Sequence, residues 1–472
     1  MGSQVGLIGL AVMGQNLALN IESRGFPIAV FNRTAKRTED YMAGPAAGKQ
    51  VTPTYSIQDF VKSIDRPRRI IIMVQAGPAV DEQIAALTPY LDEGDMVIDA
   101  GNSLFRDTER RAAAHEGSKV RFVGMGVSGG EEGALKGPSI MPGGSPESYK
   151  HLAPILEAIS AKSSYGNCVS HIGPRGAGHY VKMVHNAIEY GDMQLIAETY
   201  DIMRHGLGLG AGEMSEIFGR WNGGDLSSYL IEVTRDTLSY VDKDTGKPLV
   251  DLILDKAGQK GTGRWTSINA LELGTPIPTI DAAVWARTIS SFKDARVSAS
   301  SVLHGPKGAT PSLDKAHLLA QLEKALYVAK VSSYAQGMAL LLVASGEYDY
   351  GLNLAEIARI WTGGCIIRAN LLGSIQEAFH ANPGLSNLML APEFSGLVNE
   401  RMSALREVVG VARQMGVPCP AMSAALDYFD SFRQAHLPQN LTQAQRDYFG
   451  AHTYERVDKP GIFHTEWGGT AR

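Results

Sequence analysis

The sequence predicts an α/β domain of the doubly wound Rossmann type at residues 1–176, then a large all-helical domain with an internal duplication at 177–434, and a tail at 435–472. Three observations carry this. Short apolar runs alternate with helix-like stretches up to about residue 175, the first run ends in a glycine-rich turn, and after Gly173-Pro174-Arg175-Gly176 the strand-like runs give way to long amphipathic segments. A chain of 472 residues also exceeds what one hydrophobic core usually supports.

The predicted strands are Gln4 to Ile8, Ile28 to Phe31, Ile70 to Val74, Met96 to Asp99 and Arg121 to Val123. The first is followed by Gly9-Leu10-Ala11-Val12-Met13-Gly14 and then by helix-like Asn16 to Ser23, the strand-turn-helix context a dinucleotide fingerprint requires. Gly9 permits the tight turn, Gly14 lets helix approach strand, and the helix N-terminus offers unpaired N–H groups to a pyrophosphate. Ala11 stands where the usual second glycine would, so the pyrophosphate is expected slightly further out. After the second strand comes Asn32-Arg33-Thr34, with no carboxylate to accept ribose hydroxyls and a cation suited to a 2′-phosphate. A bare tight turn and a solvated arginine are the plainer readings. The context and the missing carboxylate favour NADP.

Just past residue 177, Lys182, His185, Asn186 and Glu189 stand at i, i+3, i+4 and i+7, which puts four polar groups on one face of about two helical turns. Most such stripes are solvated. Glu216-Ile217 and Trp221-x-Gly223-Gly224, however, recur 140 residues later as Glu356-Ile357 and Trp361-x-Gly363-Gly364, and the same shift maps the polar face onto Leu322, Ala325, Leu326 and Ala329. Ionisable groups at positions that form an apolar seam in the other copy cost stability and suggest function. From Leu437 onward no helical periodicity is visible, so the tail is expected to be ordered by docking on something else or not at all.

A net charge of −5 and a hydrophobic fraction of 44% lack the basic excess of nucleic-acid binding and suit small-molecule chemistry. Cys168, Cys365 and Cys419 form no Cys-x-x-Cys pair, which argues against a zinc ribbon or disulfide framework and for a reducing compartment. No apolar run reaches spanning length and no signal-like segment opens the chain, so a cytoplasmic protein without membrane contact is expected. No clustered metal ligands are seen, and none are expected to be needed.

Ile253-Leu254-Asp255-Lys256-Ala257-Gly258-Gln259-Lys260-Gly261-Thr262-Gly263-Arg264-Trp265 resembles the signature segment of the 6-phosphogluconate dehydrogenases. The resemblance extends over Gly9 to Asn16, Phe31 to Thr34, Asp99 to Ser103, Val127 to Gly133, Lys182 to Tyr190 and Arg446 to His452, and so covers essentially the whole chain. It implies oxidative decarboxylation of 6-phosphogluconate with NADP, in the oxidative branch of the pentose phosphate pathway, by a homodimer whose C-terminal tails are exchanged. It implies further that Asn102, Ser128, Gly129, Gly130, His185 and Asn186 hold the sugar-acid end, with Lys182 as base and Glu189 as acid. The phosphate pocket would fall to Tyr190, Lys260, Thr262, Arg287 and Arg446, with His452 beside it. Three cations and two hydroxyls suit a phosphate dianion. Val74, Gln75 and Ala76, with Asn102, would border the cofactor. Gln75 departs from the lysine that relatives commonly carry.

One amine can serve both halves of that reaction, taking the hydroxyl proton as hydride leaves and returning it to the carbonyl, provided its pKa is lowered; neighbouring cations are the expected cause. Glu189 would then protonate the carbon that lost CO2. The nearest rival is a shorter β-hydroxyacid dehydrogenase such as one acting on 3-hydroxyisobutyrate, which lacks the Lys260-Gly261-Thr262-Gly263 segment. A non-catalytic NADP sensor would keep Arg33 and have no use for Lys182 with Glu189.

Overall fold

The computed structural model describes residues 2–306 and 314–468. By contact the chain forms two compact units, Met1–Ala425 and Leu426–Arg472.

In the first unit, seven strands form one sheet: β1 (Val5–Ile8), β2 (Ile28–Phe31), β3 (Val51–Thr54), β4 (Arg69–Ile72), β5 (Met96–Asp99), β6 (Arg121–Ser128) and β7 (Ser139–Pro142), in the order β3-β2-β1-β4-β5-β6-β7. All pairs are parallel except β6 with β7, where Ser128 faces Ser139. The chain leaves β1 toward β2 and β3, then crosses to β4 on the other side. This switch point opens a crevice beyond the carboxyl ends of β1 and β4. The β-branched and leucine positions alternate between two cores, one holding Leu7, Val30 and Ile98, the other Ile8, Ile70, Ile72 and Val97. Leu17 and Ile21, one turn apart on the helix Val12–Ser23, seal the first. Each such side chain contributes about 1.5–3 kcal/mol by leaving water.

The five predicted strands are all present, β2 and β5 with the predicted bounds and the other three with shifted ends. Two sheet strands were not foreseen: β3 is four residues long and contains Pro53, as an edge strand tolerates, and β7 follows a turn too closely to stand out as an apolar run. A two-residue hairpin, β8 (Lys162–Ser163) with β9 (Gly166–Asn167), completes this part.

Among the described residues from Ala177 to Ala425 the fold is helical. A 25-residue helix, Ala177–Asp201, lies against a 33-residue helix, Lys315–Glu347, and the buried pair Lys330–Asp192 joins them at 2.7 Å. The element order repeats: long helix, short helix ending at or just before a tryptophan, glycine turn, third helix. Ala177–Asp201, Ala211–Trp221 and Tyr229–Ser239 are followed by Lys315–Glu347, Leu354–Ile360 and Leu371–Ala381. The two copies meet where Tyr229 N donates to Arg368 O and Asn370 N donates to Ser227 O, each at 3.0 Å. Leu322, Ala325, Leu326 and Ala329 are fully buried. Lys315–Glu347 is long and apolar enough to resemble a membrane span by length and composition alone, but it is a core helix: 83% of its most apolar 18-residue window is buried within the protein, where Ala177–Asp201 and Pro392–Met415 cover it.

The second unit corrects the expectation for the tail. Gln439–Gly450 is a helix, followed by the small ladder β10 (Tyr454–Glu455) with β11 (Ile462–Phe463). The large apolar residues of this helix, Leu441, Tyr448 and Phe449, are all exposed in a single chain and mark no core-facing stripe. It is tied instead by one buried carboxylate: Asp447 accepts from Thr453 N, Thr465 N and Trp467 Nε1 at 2.7–3.0 Å and pairs with His464 at 2.8 Å. The tail positions 469–472 lie outside the described residues.

Candidate active site

The crevice at the switch point is a groove lined by Gly9, Ala11, Asn32, Arg33, Thr34, Arg37, Val74 and Gln75, among others. Gly9 has φ +102°, and a Cβ on Gly14 would fall 1.9 Å from Gly9 O, so both glycines are required by the turn and by the close approach of helix to strand. Asn32 Oδ1 accepts from Leu10 N at 3.0 Å and Asn32 Nδ2 donates to Thr34 O, which ties the loop to the end of β2. Ala11 caps the helix Val12–Ser23 without a side-chain bond, and that helix has no acid in its first turn. Its first N–H groups are therefore free for an anion, with Val12 and Met13 at its start. Ala76 lies in the turn before the helix Pro78–Leu87. Arg37, one turn beyond Arg33, also lines the groove and escaped sequence reasoning; its i+4 spacing from Arg33 was the available signal. Two cations, an uncapped helix start and two glycines fit a dinucleotide carrying an extra phosphate.

The second part is built on the helix Ala177–Asp201, which crosses β6 where that strand has glycines. A Cβ on Gly126 would lie 2.5 Å from the Lys182 Cβ, so only glycine admits the helix here. The approach buries the polar face. Lys182 is 5% exposed, His185 not at all, and Asn186 9%. Lys182 Nζ donates to Asn186 Oδ1 at 2.7 Å, His185 Nδ1 lies 3.0 Å from the same oxygen, and His185 Nε2 is 3.2 Å from Ser128 Oγ. With Asn186 Oδ1 as the acceptor of both, His185 carries its proton on Nδ1, and Nε2 accepts from Ser128. Glu189 Oε2 stands 3.9 Å from His185 Nδ1.

Burial sets the protonation states. It brings the Lys182 amine down to about 8, against the opposing carboxylate of Glu189. The expected cause, neighbouring cations, is thus replaced by desolvation, because the helix is covered on all sides rather than flanked by charge. Burial, helped by the Lys182 charge, holds His185 well below the usual histidine range, and burial also raises the Glu189 carboxyl against the pull of Lys182 and Arg287.

Ser128 ends β6, and Gly129 (φ +121°) and Gly130 (φ +62°) make the turn into the helix Gly130–Lys136. Asn102 is exposed in the turn after β5, where the Asp99 carboxylate accepts from Gly101 N and Ser103 Oγ and pairs with the buried Arg111 at 3.1 Å. Tyr190 is flanked by Gly263, whose Cβ would fall 2.6 Å from its ring, and by Arg287, whose guanidinium lies 3.5 Å from the ring centroid. Thr262 is buried at the start of the helix Thr262–Glu272; Lys260 is exposed and makes no hydrogen bond or ion pair among the described residues. Arg446 and His452 belong to the second unit. There Arg446 Nη1 donates to Gln443 Oε1 at 2.9 Å, and the His452 ring meets Phe449 edge-on.

This constellation coincides with clear likenesses to known proteins. Residues 4–173 match the family model described as the NAD binding domain of 6-phosphogluconate dehydrogenase, and residues 178–467 match that of the C-terminal domain of the same enzyme. A Synechococcus elongatus protein named 6-phosphogluconate dehydrogenase, decarboxylating, is 58% identical over 98% of this chain and 99% of its own length. A Bacillus subtilis protein named as the NADP(+)-dependent, decarboxylating enzyme is 56% identical over the same shares. Among solved structures, the Plasmodium falciparum 6-phosphogluconate dehydrogenase, described in apo form and in complex with its cofactor NADP+ and its substrate 6-phosphogluconate, superposes with a TM-score of 0.94 at 47% identity, over 98% of this chain and 100% of that one.

Proposed function

The chain belongs to the 6-phosphogluconate dehydrogenase family, and from that premise we propose that Lys182 and Glu189 divide the proton transfers of its reaction between them. The reaction is the oxidative decarboxylation of 6-phosphogluconate to ribulose 5-phosphate and CO2, with NADP reduced. The carrying observation is a buried lysine brought to about 8 on the same helix face as a carboxyl that burial keeps toward its acid form.

The Lys182 amine takes the proton of the C3 hydroxyl as the C3 hydrogen departs as hydride. NADP, when bound, supplies the hydride acceptor. The ammonium returns its proton to the C3 oxygen as the C1–C2 bond breaks and CO2 leaves, giving an enediol. Glu189 then protonates C2 while Lys182 takes the enol proton, so ketone and acid-base pair balance. His185, Asn186, Ser128, Gly129, Gly130 and Asn102 hold the sugar acid, with Tyr190, Lys260, Thr262 and Arg287 at its phosphate. Arg33 and Arg37 take the 2′-phosphate of NADP. In this reading residues 1–176 carry the cofactor groove together with the Asn102 and Ser128–Gly130 contacts to the sugar acid, and 177–434 carry Lys182, Glu189 and the other substrate groups outside the tail.

The homodimer with exchanged tails is part of the same proposal, with Arg446 and His452 of each chain serving its partner. Its support is the apolar surface between residues 252 and 303, where Leu271 (80% exposed), Trp285 (52%), Phe292 (58%) and Leu303 (72%) face solvent in a single chain. The three buried cysteines form no disulfide and suit a reducing compartment, the cytoplasm. The deciding assay offers 6-phosphogluconate with NADP and follows NADPH and CO2 together; reduction without CO2, or turnover of 3-hydroxyisobutyrate instead, would overturn the reading.

A further inference from the structure

The duplicated Trp-x-Gly-Gly motif has no part in the mechanism above, yet its second copy reaches the site. Trp361 follows the helix Leu354–Ile360, is fully buried, and meets the His185 ring edge-to-face at 5.4 Å and 77°. His185 is held at Nε2 by Ser128 and at Nδ1 by Asn186. Those two contacts hold the nitrogen-bearing edge of the ring, and the indole packs against the imidazole at a steep angle as a third contact.

The turn behind Trp361 is fastened to the same place. Ser139 N donates to Gly364 O at 2.8 Å and Ser139 Oγ donates to Ile360 O at 2.7 Å, and Ser139 is the residue paired with Ser128 across β6 and β7. A Cβ on Gly129 would lie 2.5 Å from Gly364 O. One segment of the second repeat thus abuts both the imidazole and the glycine loop. In the first copy Trp221 packs instead on Phe218 of its own helix, at 5.3 Å. Moreover, Trp361 Nε1 is buried without a hydrogen-bond partner among the described residues, a defect that an apolar side chain would avoid. Filling space does not call for an indole here.

We propose that Trp361 is a positioning residue, one that fixes the His185 imidazole in the orientation that serves Ser128 and the sugar acid. The claim rests on the substrate-holding role given to His185 above, and two kinds of measurement separate them. The first needs no turnover: 15N imidazole spectra of the intact enzyme, with the His185 signals assigned by their loss in His185→Gln. The parent and Trp361→Phe are expected to show one neutral Nδ1–H tautomer, and Trp361→Leu a shifted or mixed population. The second is kinetic: in Trp361→Leu the KM for 6-phosphogluconate rises by about tenfold while kcat falls less and the NADP Kd stays put, and Trp361→Phe restores most of the loss. Trp221→Phe changes neither readout. An unchanged His185 spectrum in Trp361→Leu, or equal losses toward substrate and NADP, overturns the proposal. Should Trp361→Leu not fold, Trp361→Met fills the space and carries the same two readouts. A parent that does not turn over 6-phosphogluconate overturns the reaction reading, while the spectra still decide what Trp361 does to the ring.

Discussion

Lys182 Nζ stands 2.7 Å from Asn186 Oδ1, one helical turn along, with both side chains almost wholly out of water. A charge placed at position 186 should therefore govern the amine strongly. With the parent amine near 8, kcat/KM is expected to fall on the acid side with an apparent pKa about there, as free amine is lost. Asn186→Asp puts an anion beside the ammonium and favours it, moving that limb to higher pH by about one unit or more. Glu189→Gln removes the carboxylate that opposes deprotonation and moves it to lower pH. Shifts in the opposite directions, read from pH profiles, would exclude Lys182 as the titrating base.

The same burial makes a stability prediction. Because the folded-state pKa is depressed from 10.5 to about 8, the unfolded chain binds more protons between those values. This group's penalty is absent above about 10.5, grows as pH falls toward 8, and is constant below. Lys182→Met should then fold more stably at pH 7 by roughly 3 kcal/mol, with the advantage shrinking as pH rises to 9.5. Denaturant titrations at fixed protein concentration check this. The variant should also show no single-turnover reduction of NADP, whereas Glu189→Gln should reduce NADP rapidly and slow the later steps.

What was legible in the sequence was local. The turn Gly9 to Gly14, Arg33 and the polar face from Lys182 to Glu189 each declare themselves by spacing within a few residues. Burial of that face is different, since it depends on Gly126 in β6 and on a helix 140 residues away, and so desolvation as the cause of the Lys182 shift has no local signal. β3 and β7 are four residues each and carry proline, leaving too little pattern to read. The helix Gln439–Gly450 is organised by a single buried carboxylate, which leaves no periodic trace. The Trp361 motif was visible, but nothing short of the folded chain could show that it faces His185 while Trp221 does not.

Cofactor choice should follow Arg33, at the rim of the groove with Arg37 one turn on. Arg33→Asp replaces attraction for the 2′-phosphate with repulsion, so NADP binding should weaken by about a hundredfold or more and NAD binding far less. Arg37→Ala should weaken NADP in the same sense by a smaller factor. Titrations of the two cofactors settle it: equal losses for both would remove Arg33 from the specificity site.

The last prediction concerns Arg446, which lies in a unit that holds itself together through Asp447 and exposes Tyr448 and Phe449 in a single chain. A ready-folded arm of this kind can serve a site without being built into that site's own core, and the proposal gives it to the partner subunit. Co-expression of a chain carrying Lys182→Met with one carrying Arg446→Ala, each nearly inactive alone, makes the assignment testable in purified mixed dimers. If Arg446 acts across the dimer, one site collects both lesions and the other collects neither, so about half of the parental activity per dimer returns. If it acts within its own chain, each site keeps one lesion and activity stays at the level of the parents. The outcome does not depend on how strongly either lesion impairs its site, provided both homodimers are nearly dead, because only exchange can produce an intact site from two damaged chains. Inactive mixed dimers would therefore refute the exchanged tail and leave Lys182 where it stands.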